Sequence, residues 1–187
     1  MTATRSQRWN DLVARIESEY NALPAAEKRW IRTHLNEIAQ CQRQLHELFL
    51  AGDGALHCSR CQGDCCAKGH NHMTLANLLS FLDGGRSLPP ADFAATCPFL
   101  SATGCRLEVE ERPYNCVTFI CDKIEDSLTA AEKQSFYALD RRLRALYDRF
   151  GERYQGAAMT GLLLQEQRLA GLPFLQHRKS FATSTKG

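Results

Sequence analysis

The chain has 187 residues, 44% apolar and 24% charged, which is the composition of an ordinary folded domain and excludes disordered, collagenous and low-complexity classes. Its 23 basic and 21 acidic residues leave a net charge of +2, too small for a dedicated nucleic-acid binder. No apolar run approaches the roughly 20 residues that span a bilayer, and Met1–Asn10 lacks the apolar stretch and cleavage site of a secretion signal, so a cytoplasmic location is expected.

The N-terminal third reads as helix. Trp9, Leu12, Val13, Ile16, Tyr20 and Leu23 form a stripe at helical spacing that ends near Pro24. Pro24 suits the first turn of a second helix, where its missing N–H is not needed. That helix carries Trp30, Ile31, Leu35, Ile38, Cys41, Leu45, Leu48 and Phe49 until Gly52 and Gly54 stop it. Residues 6–52 are therefore expected to form a helical hairpin with its apolar faces inward.

Residues 55–121 differ in kind. Gly84-Gly85, Pro89-Pro90, Pro98 and Pro113 break them up, leaving room for one short helix with Thr74 as N-cap and Leu75, Leu78, Leu79 and Leu82 on its face. Leu107 and Val109 suggest a brief strand. So irregular a segment buries little apolar surface and needs a staple. Helix returns over 127–172. Thr129-Ala-Ala-Glu132 is a capping box, Phe136, Leu139, Leu143, Leu146, Tyr147 and Phe150 mark the buried stripe, Gly151 ends it, and a further helix is expected over 157–170. The basic tail, 177–187, is expected to fray. The fold class is mainly α: one domain, 1–187, whose N- and C-terminal helices pack around an irregular, metal-organised cysteine-rich core.

Cysteine is the outlier. Eight of the nine fall between Cys58 and Cys121. An odd total without a secretion signal argues against a disulfide framework, and the density points to metal. The first group is Cys58-Ser-Arg-Cys61-Gln-Gly-Asp-Cys65-Cys66. A Cys-x2-Cys pair lets two thiolates reach one ion from a single turn, as in zinc knuckles and iron–sulfur loops. Adjacent cysteines point in different directions, so Cys65 and Cys66 are expected to divide between two sites, or one of them to be structural. Cys97, Cys105, Cys116 and Cys121 follow, with turns at Gly104 and Pro113 to bring them back to the first group. Eight thiolates suffice for two four-coordinate ions, or for one [4Fe–4S] cluster with four to spare. Cys41, on the apolar face of a helix, reads instead as a small buried hydrophobe.

Sharper enzyme motifs fail on spacing. The order Cys-x2-Cys-x3-Cys is the reverse of the radical-SAM pattern. His46-Glu47 begins like a zinc-protease helix but has Leu50 at the second histidine position, and neither a phosphate-binding loop nor a Gly-x-Ser-x-Gly elbow is present. His57, His70 and His72 lie beside the first cysteines, where one imidazole could replace a thiolate, although exposed loop histidines explain them as well. His34 and His46 read as packing residues. Among the interleaved cations Arg60, Lys68, Arg106, Arg112 and Lys123, Arg112 is the best placed to donate to the thiolates, because it stands next to Pro113 and between cysteines.

The run Cys58–Cys66, with Cys97-Pro-Phe-Leu, Gly104-Cys105 and Arg112-Pro113-x-x-Cys116-x-x-Phe119-x-Cys121, resembles the YkgJ-type cysteine-cluster family, described as a zinc- or iron-chelating domain. The resemblance covers residues 58–121 and gives all eight family cysteines a counterpart. It departs in having three residues between Cys61 and Cys65 where the family has two, a longer run from Cys105 to Arg112, Val117 after the cysteine, and Leu107-Glu108 in place of an apolar–aromatic pair. A related domain occurs in flagellin lysine-N-methylase, which implies S-adenosylmethionine chemistry in some relatives, but this chain carries no motif for that cofactor.

The expected function is metal binding through Cys58, Cys61, Cys65, Cys66, Cys97, Cys105, Cys116 and Cys121, holding zinc or an iron–sulfur cluster. Two further classes stay open: an iron–sulfur-dependent enzyme of electron or methyl transfer by family analogy, and a structural-zinc adaptor that binds another protein.

Overall fold

A computed structural model describes residues 3–61, 64–66, 73–95, 97–102 and 104–178. Among them are eight α-helices: α1 (Arg5–Asn21), α2 (Ala25–Ala51), α3 (Gly54–Cys61), α4 (Leu75–Asp83), α5 (Tyr114–Thr118), α6 (Asp122–Ser127), α7 (Ala130–Arg153) and α8 (Leu162–Leu169). A two-stranded hairpin of β1 (Leu100–Ser101) and β2 (Gly104–Cys105) and 3-10 turns at 64–66 and Val109–Glu111 complete the described elements.

Local chemistry sets the helix starts. Thr4 Oγ1 accepts from the Gln7 amide at 3.2 Å while Gln7 Oε1 accepts from the Thr4 amide at 2.8 Å, a reciprocal cap for α1. The box expected at Thr129 is present for α7: the Glu132 amide donates to Thr129 Oγ1 at 3.3 Å, and Glu132 Oε2 accepts from the Thr129 amide at 2.8 Å. Thr74 is the N-cap of α4, as its sequence suggests, and its amide donates to Asn77 Oδ1. Pro24 stands one position earlier than expected, as the N-cap of α2.

The main axis is α2 against α7. Glu27 meets Arg153, Trp30 meets Phe150 at 5.1 Å and Cys41 Sγ donates to the Leu139 carbonyl at 3.4 Å, so residue numbers rise on one helix as they fall on the other and the pair is antiparallel. Ile31, Leu35, Ile38, Cys41 and Leu45 are buried on α2 and Phe136, Leu143, Leu146, Tyr147 and Phe150 on α7. A fully buried Leu, Ile or Phe contributes about 1.5–3 kcal/mol, so this seam supplies most of the local driving force. Cys41 lies in it as a buried packing residue.

The expected hairpin of α1 on α2 is replaced by a different pairing. α1 packs chiefly on α4 and α8: Tyr20 Oη donates to Asp83 Oδ1 at 2.8 Å and Arg8 pairs with Glu166 at 3.0 Å. At its N-terminal end Trp9 meets the rings of Phe93 and Phe99 at 5.7 and 6.1 Å. An amphipathic stripe specifies that a helix buries one face, and leaves the partner to be chosen by the rest of the chain.

Other departures are local. Leu107 and Val109 form no strand: Leu107 is buried beyond β2, Val109 opens the 3-10 turn, and the hairpin instead forms at Gly104, whose φ of +116° glycine tolerates. Two further helices, α3 and α5, occupy the region expected to be irregular. Helix α7 runs through Gly151 to Arg153, and α8 starts at Leu162 because the chain before it is bound into a loop, with Gly156 so close to Phe174 that a Cβ would come 2.4 Å from its ring. The tail does not fray at its start: His177 pairs antiparallel with Tyr154 and the Arg178 amide donates to the Arg153 carbonyl at 2.9 Å. Residues 179–187 lie outside the described residues.

Glu27 closes this end of the fold. Its carboxylate accepts from Arg153 Nε at 3.0 Å and Tyr154 Oη at 2.6 Å and faces His177 Nε2 at 3.1 Å. The Arg153 guanidinium, helped by the Tyr154 hydroxyl and against the opposing effect of burial, lowers its pKa from 4.5 to about 2. Because the folded value lies below the unfolded one, the stabilisation is complete above pH 4.5 and is lost as pH falls toward 2. Glu27→Gln is expected to lower stability at neutral pH by about 2 kcal/mol and to flatten the loss of stability between those limits. Urea unfolding across the acid range measures both, and an acid limb identical to that of the unmodified chain would refute the assignment.

Candidate functional site

The eight cysteines between 58 and 121 arrive from six stretches: Cys58 and Cys61 in α3, Cys65 and Cys66 in a 3-10 turn at 64–66, Cys97 before β1, Cys105 in β2, Cys116 in α5, and Cys121 as the N-cap of α6. No disulfide joins any of the nine cysteines.

Two pieces of local architecture gather them. At the corner between α2 and α3, Asp53 takes a left-handed φ of +53°. There Gly52 lies so near α6 that a Cβ would meet the Ile124 carbonyl at 2.9 Å and Leu128 Cδ2 at 3.2 Å. This close approach seats α3 on α6 and carries Cys58 and Cys61, three residues apart on one helix, toward Cys121. Elsewhere, Phe99 is buried beneath Trp9, the Arg106 amide donates to the Phe99 carbonyl at 2.8 Å, and Leu100 stands opposite Cys105 across β1 and β2. The hairpin thereby turns Cys105 back opposite Leu100, three residues after Cys97. Cys116 is held on α5 by the packing of Tyr114 against Tyr147 at 5.9 Å.

The electrostatics report who neighbours whom. Burial raises the Cys58 thiol, and Cys65, Cys61 and Cys121 add to it. Burial pushes Cys66 up to about 12, followed by the effects of Cys65, Cys97 and Cys105. Cys97 is raised by burial and by Cys105, while the backbone N–H groups of Phe99 and Leu100 hydrogen-bond to its sulfur and pull it the other way. Cys116 is exposed as a whole residue, yet its thiol is crowded by protein, which pushes it up to about 12, with Cys105, Cys97 and Cys66 contributing.

Arg112 stands among these groups. Its charge lowers both Cys58 and Cys116, and its Nε donates to the Leu107 carbonyl at 3.1 Å. Its backbone is clamped too: the carbonyl accepts from Gln42 Nε2 at 2.6 Å and from Asn77 Nδ2 at 3.1 Å. Asn77 also reaches the Glu111 carbonyl at 3.3 Å and the Tyr147 hydroxyl at 2.9 Å. Tyr147 is buried, which raises its phenol, and Cys116 raises it further. A continuous polar path thus joins the helical core to the thiols.

Among the described residues no three Cys, His, Asp or Glu side chains are grouped closely enough to enclose a metal ion as they stand. The thiols are neighbours and not a closed shell. Their chemistry would nonetheless suit a soft thiophilic ion: sulfur donors from several stretches, amides directed at one sulfur, and a guanidinium to offset excess negative charge.

His57 is half-buried on α3, whereas His70, His72 and Lys68 lie outside the described residues. Arg106 is engaged by the Pro90 carbonyl at 3.2 Å, and His34 stacks on Trp30 at 3.9 Å, away from the cysteines. His46 is the residue that sequence reasoning set aside. It stacks on Phe49 at 5.5 Å, and its pKa is lowered by burial and then by the Arg112 charge, which puts the imidazole on the site's border. Its only signal in the sequence is position, on the last two turns of α2 before the chain turns into α3.

Comparison with family models, curated proteins and solved structures gives no match.

Asn77→Ala is expected to destabilise the fold by about 1–3 kcal/mol, since it strips partners from buried carbonyls at Glu111 and Arg112. Urea unfolding reads the loss. Hydrogen exchange should rise at 107–118 more than in α1, and a uniform rise would contradict a clamp at this position.

Proposed function

We propose that the chain is a metal-binding protein that ligates zinc or an iron–sulfur cluster through Cys58, Cys61, Cys65, Cys66, Cys97, Cys105, Cys116 and Cys121. The observation that carries this reading is that cysteines from six separate stretches, none in a disulfide, have other cysteine thiols as electrostatic neighbours. Neutral thiols pack as small hydrophobes one at a time, as Cys41 does, but packing gives no reason to gather eight from six stretches. A thiophilic cation does, because it replaces the protons and relieves the mutual repulsion of the thiolates.

Four thiolates around a divalent ion leave a charge of about −2. The Arg112 guanidinium and the amides of Phe99 and Leu100 are the groups that offset it. Zinc would tie the stretches into one arrangement, and a cluster would supply one-electron chemistry as well. A place in the YkgJ-type family and a reducing, cytoplasmic setting belong to the same proposal and rest on the cysteine motifs and their thiol state.

Anaerobic purification of the full chain, followed by an absorption spectrum and analysis for iron, zinc and acid-labile sulfide, tests the reading. Metal at stoichiometric level is expected. Iron matched by sulfide, with a broad band near ~400 nm, identifies a cluster, and a colourless zinc protein identifies a closed thiolate site. A chain that carries no metal and takes up neither Zn²⁺ nor iron with sulfide under reducing conditions would refute it.

A further inference from the structure

We infer that the guanidinium of Arg112 and the imidazole of His46 form a binding site for a small oxyanion, the phosphoryl or carboxylate group of a ligand, at the edge of the thiol region. The inference goes beyond the metal-binding reading and does not depend on it, because the helical core holds both groups.

Arg112 is held by its backbone and by its side chain. Its carbonyl accepts from Gln42 Nε2 at 2.6 Å and from Asn77 Nδ2 at 3.1 Å, and its Nε donates to the carbonyl of buried Leu107 at 3.1 Å. Pro113 follows it and keeps its backbone extended, at φ −65° and ψ 140°. With Nε taken, the two terminal nitrogens remain as a fork, and among the described residues neither has a hydrogen-bond acceptor. The residue is half-buried, so the fork is partly withdrawn from water.

His46 comes to the same place along α2. It lies one helical turn beyond Gln42 on the face where Gln42 meets Arg112, and Arg43 between them reaches Glu110 at 3.1 Å. The imidazole is half-buried and stacks on Phe49 at 5.5 Å, which sets its ring plane, and neither ring nitrogen is hydrogen-bonded to a described residue. Burial lowers the His46 pKa and the Arg112 charge lowers it further, so the two groups are electrostatic neighbours. Glu110, a carboxylate that also acts on His46, is occupied by Arg43.

A partly desolvated guanidinium with open N–H groups beside an imidazole is costly to hold without an acceptor. An oxyanion supplies one: two of its oxygens match the fork, and its remaining lone pairs accept from the imidazole. Offsetting thiolate charge needs only a cation, which lysine would supply as well. The fork adds a geometry that lysine lacks.

The test is calorimetric titration of the full chain with inorganic phosphate and, separately, with acetate, under reducing conditions and with metal content measured on the same sample. Saturable binding of at least one of the two is expected, with a shift of the His46 ring signals in NMR spectra. Arg112→Lys keeps the charge and should weaken binding about tenfold while leaving the metal content as it is. His46→Gln should weaken it several-fold, and Arg149→Lys, at a surface pair with Glu37, should leave it unchanged. Circular dichroism of each variant checks that the helices remain. Should the Arg112 variant fail to fold, the unmodified chain still decides: the anion that binds should protect Arg112 from phenylglyoxal, read by mass spectrometry, and leave Arg149 as reactive as before. No saturable binding of phosphate or acetate, an Arg112→Lys variant that binds as tightly, or Arg112 modified at one rate with and without the anion would overturn the inference and leave metal binding standing. A chain that binds the anion and takes up no metal would sustain this site and refute the metal reading.

Discussion

Gln42 from α2 and Asn77 from α4 donate to one atom, the backbone carbonyl of Arg112. That shared acceptor fixes the cysteine region to the helical core. It lies inside the protein, where a carbonyl without partners would cost about 1–3 kcal/mol, so the two amides hold the chain at 111–112 in one place. From there Arg112 extends to the thiols on one side, and Asn77 reaches Tyr147 and so the neighbourhood of Cys116 on the other.

The two parts of the molecule are stabilised differently. The antiparallel seam of α2 and α7, with α1 and α4 beside it, buries a continuous set of large apolar side chains, with Cys41 within it and Cys97 packed against the core. Contrary to expectation, residues 55–121 bury considerable apolar surface, because Met73, Leu75, Leu78, Leu79 and Phe81 pack α4 into the core; nearer the thiols the anchors are Phe99 under Trp9, Leu107 and, just beyond, Ile124. The remaining order of the cysteine region comes from short helices and a hairpin of two-residue strands, and its thiols would repel one another if ionised. Bound metal would turn that repulsion into the strongest local constraint.

Near the thiols, two glycines matter for two different reasons. Gly52 permits a close approach between α3 and α6 that any side chain would obstruct, and Gly104 permits a left-handed turn that returns Cys105 opposite Leu100. Each lies outside the cysteine motifs' ligand positions, yet each decides where a cysteine-bearing segment ends up.

Much of the secondary structure is legible in the residues themselves. The stripe from Trp9 to Tyr20, the caps at Thr74 and Thr129, the burial of Cys41 and the concentration of thiols between Cys58 and Cys121 all follow from spacing and side-chain chemistry within a turn or two of helix. These are local interactions, and a short window contains all of their terms. What the sequence by itself determined is therefore which segments are helical, which faces are apolar and which atoms are available as ligands. Only the tertiary structure decided that α1 turns to α4 and α8 and not to α2, and that His46 borders Arg112. Those outcomes depend on competition among apolar faces and buried polar groups far apart in the chain, and spacing within one segment carries no record of the winner.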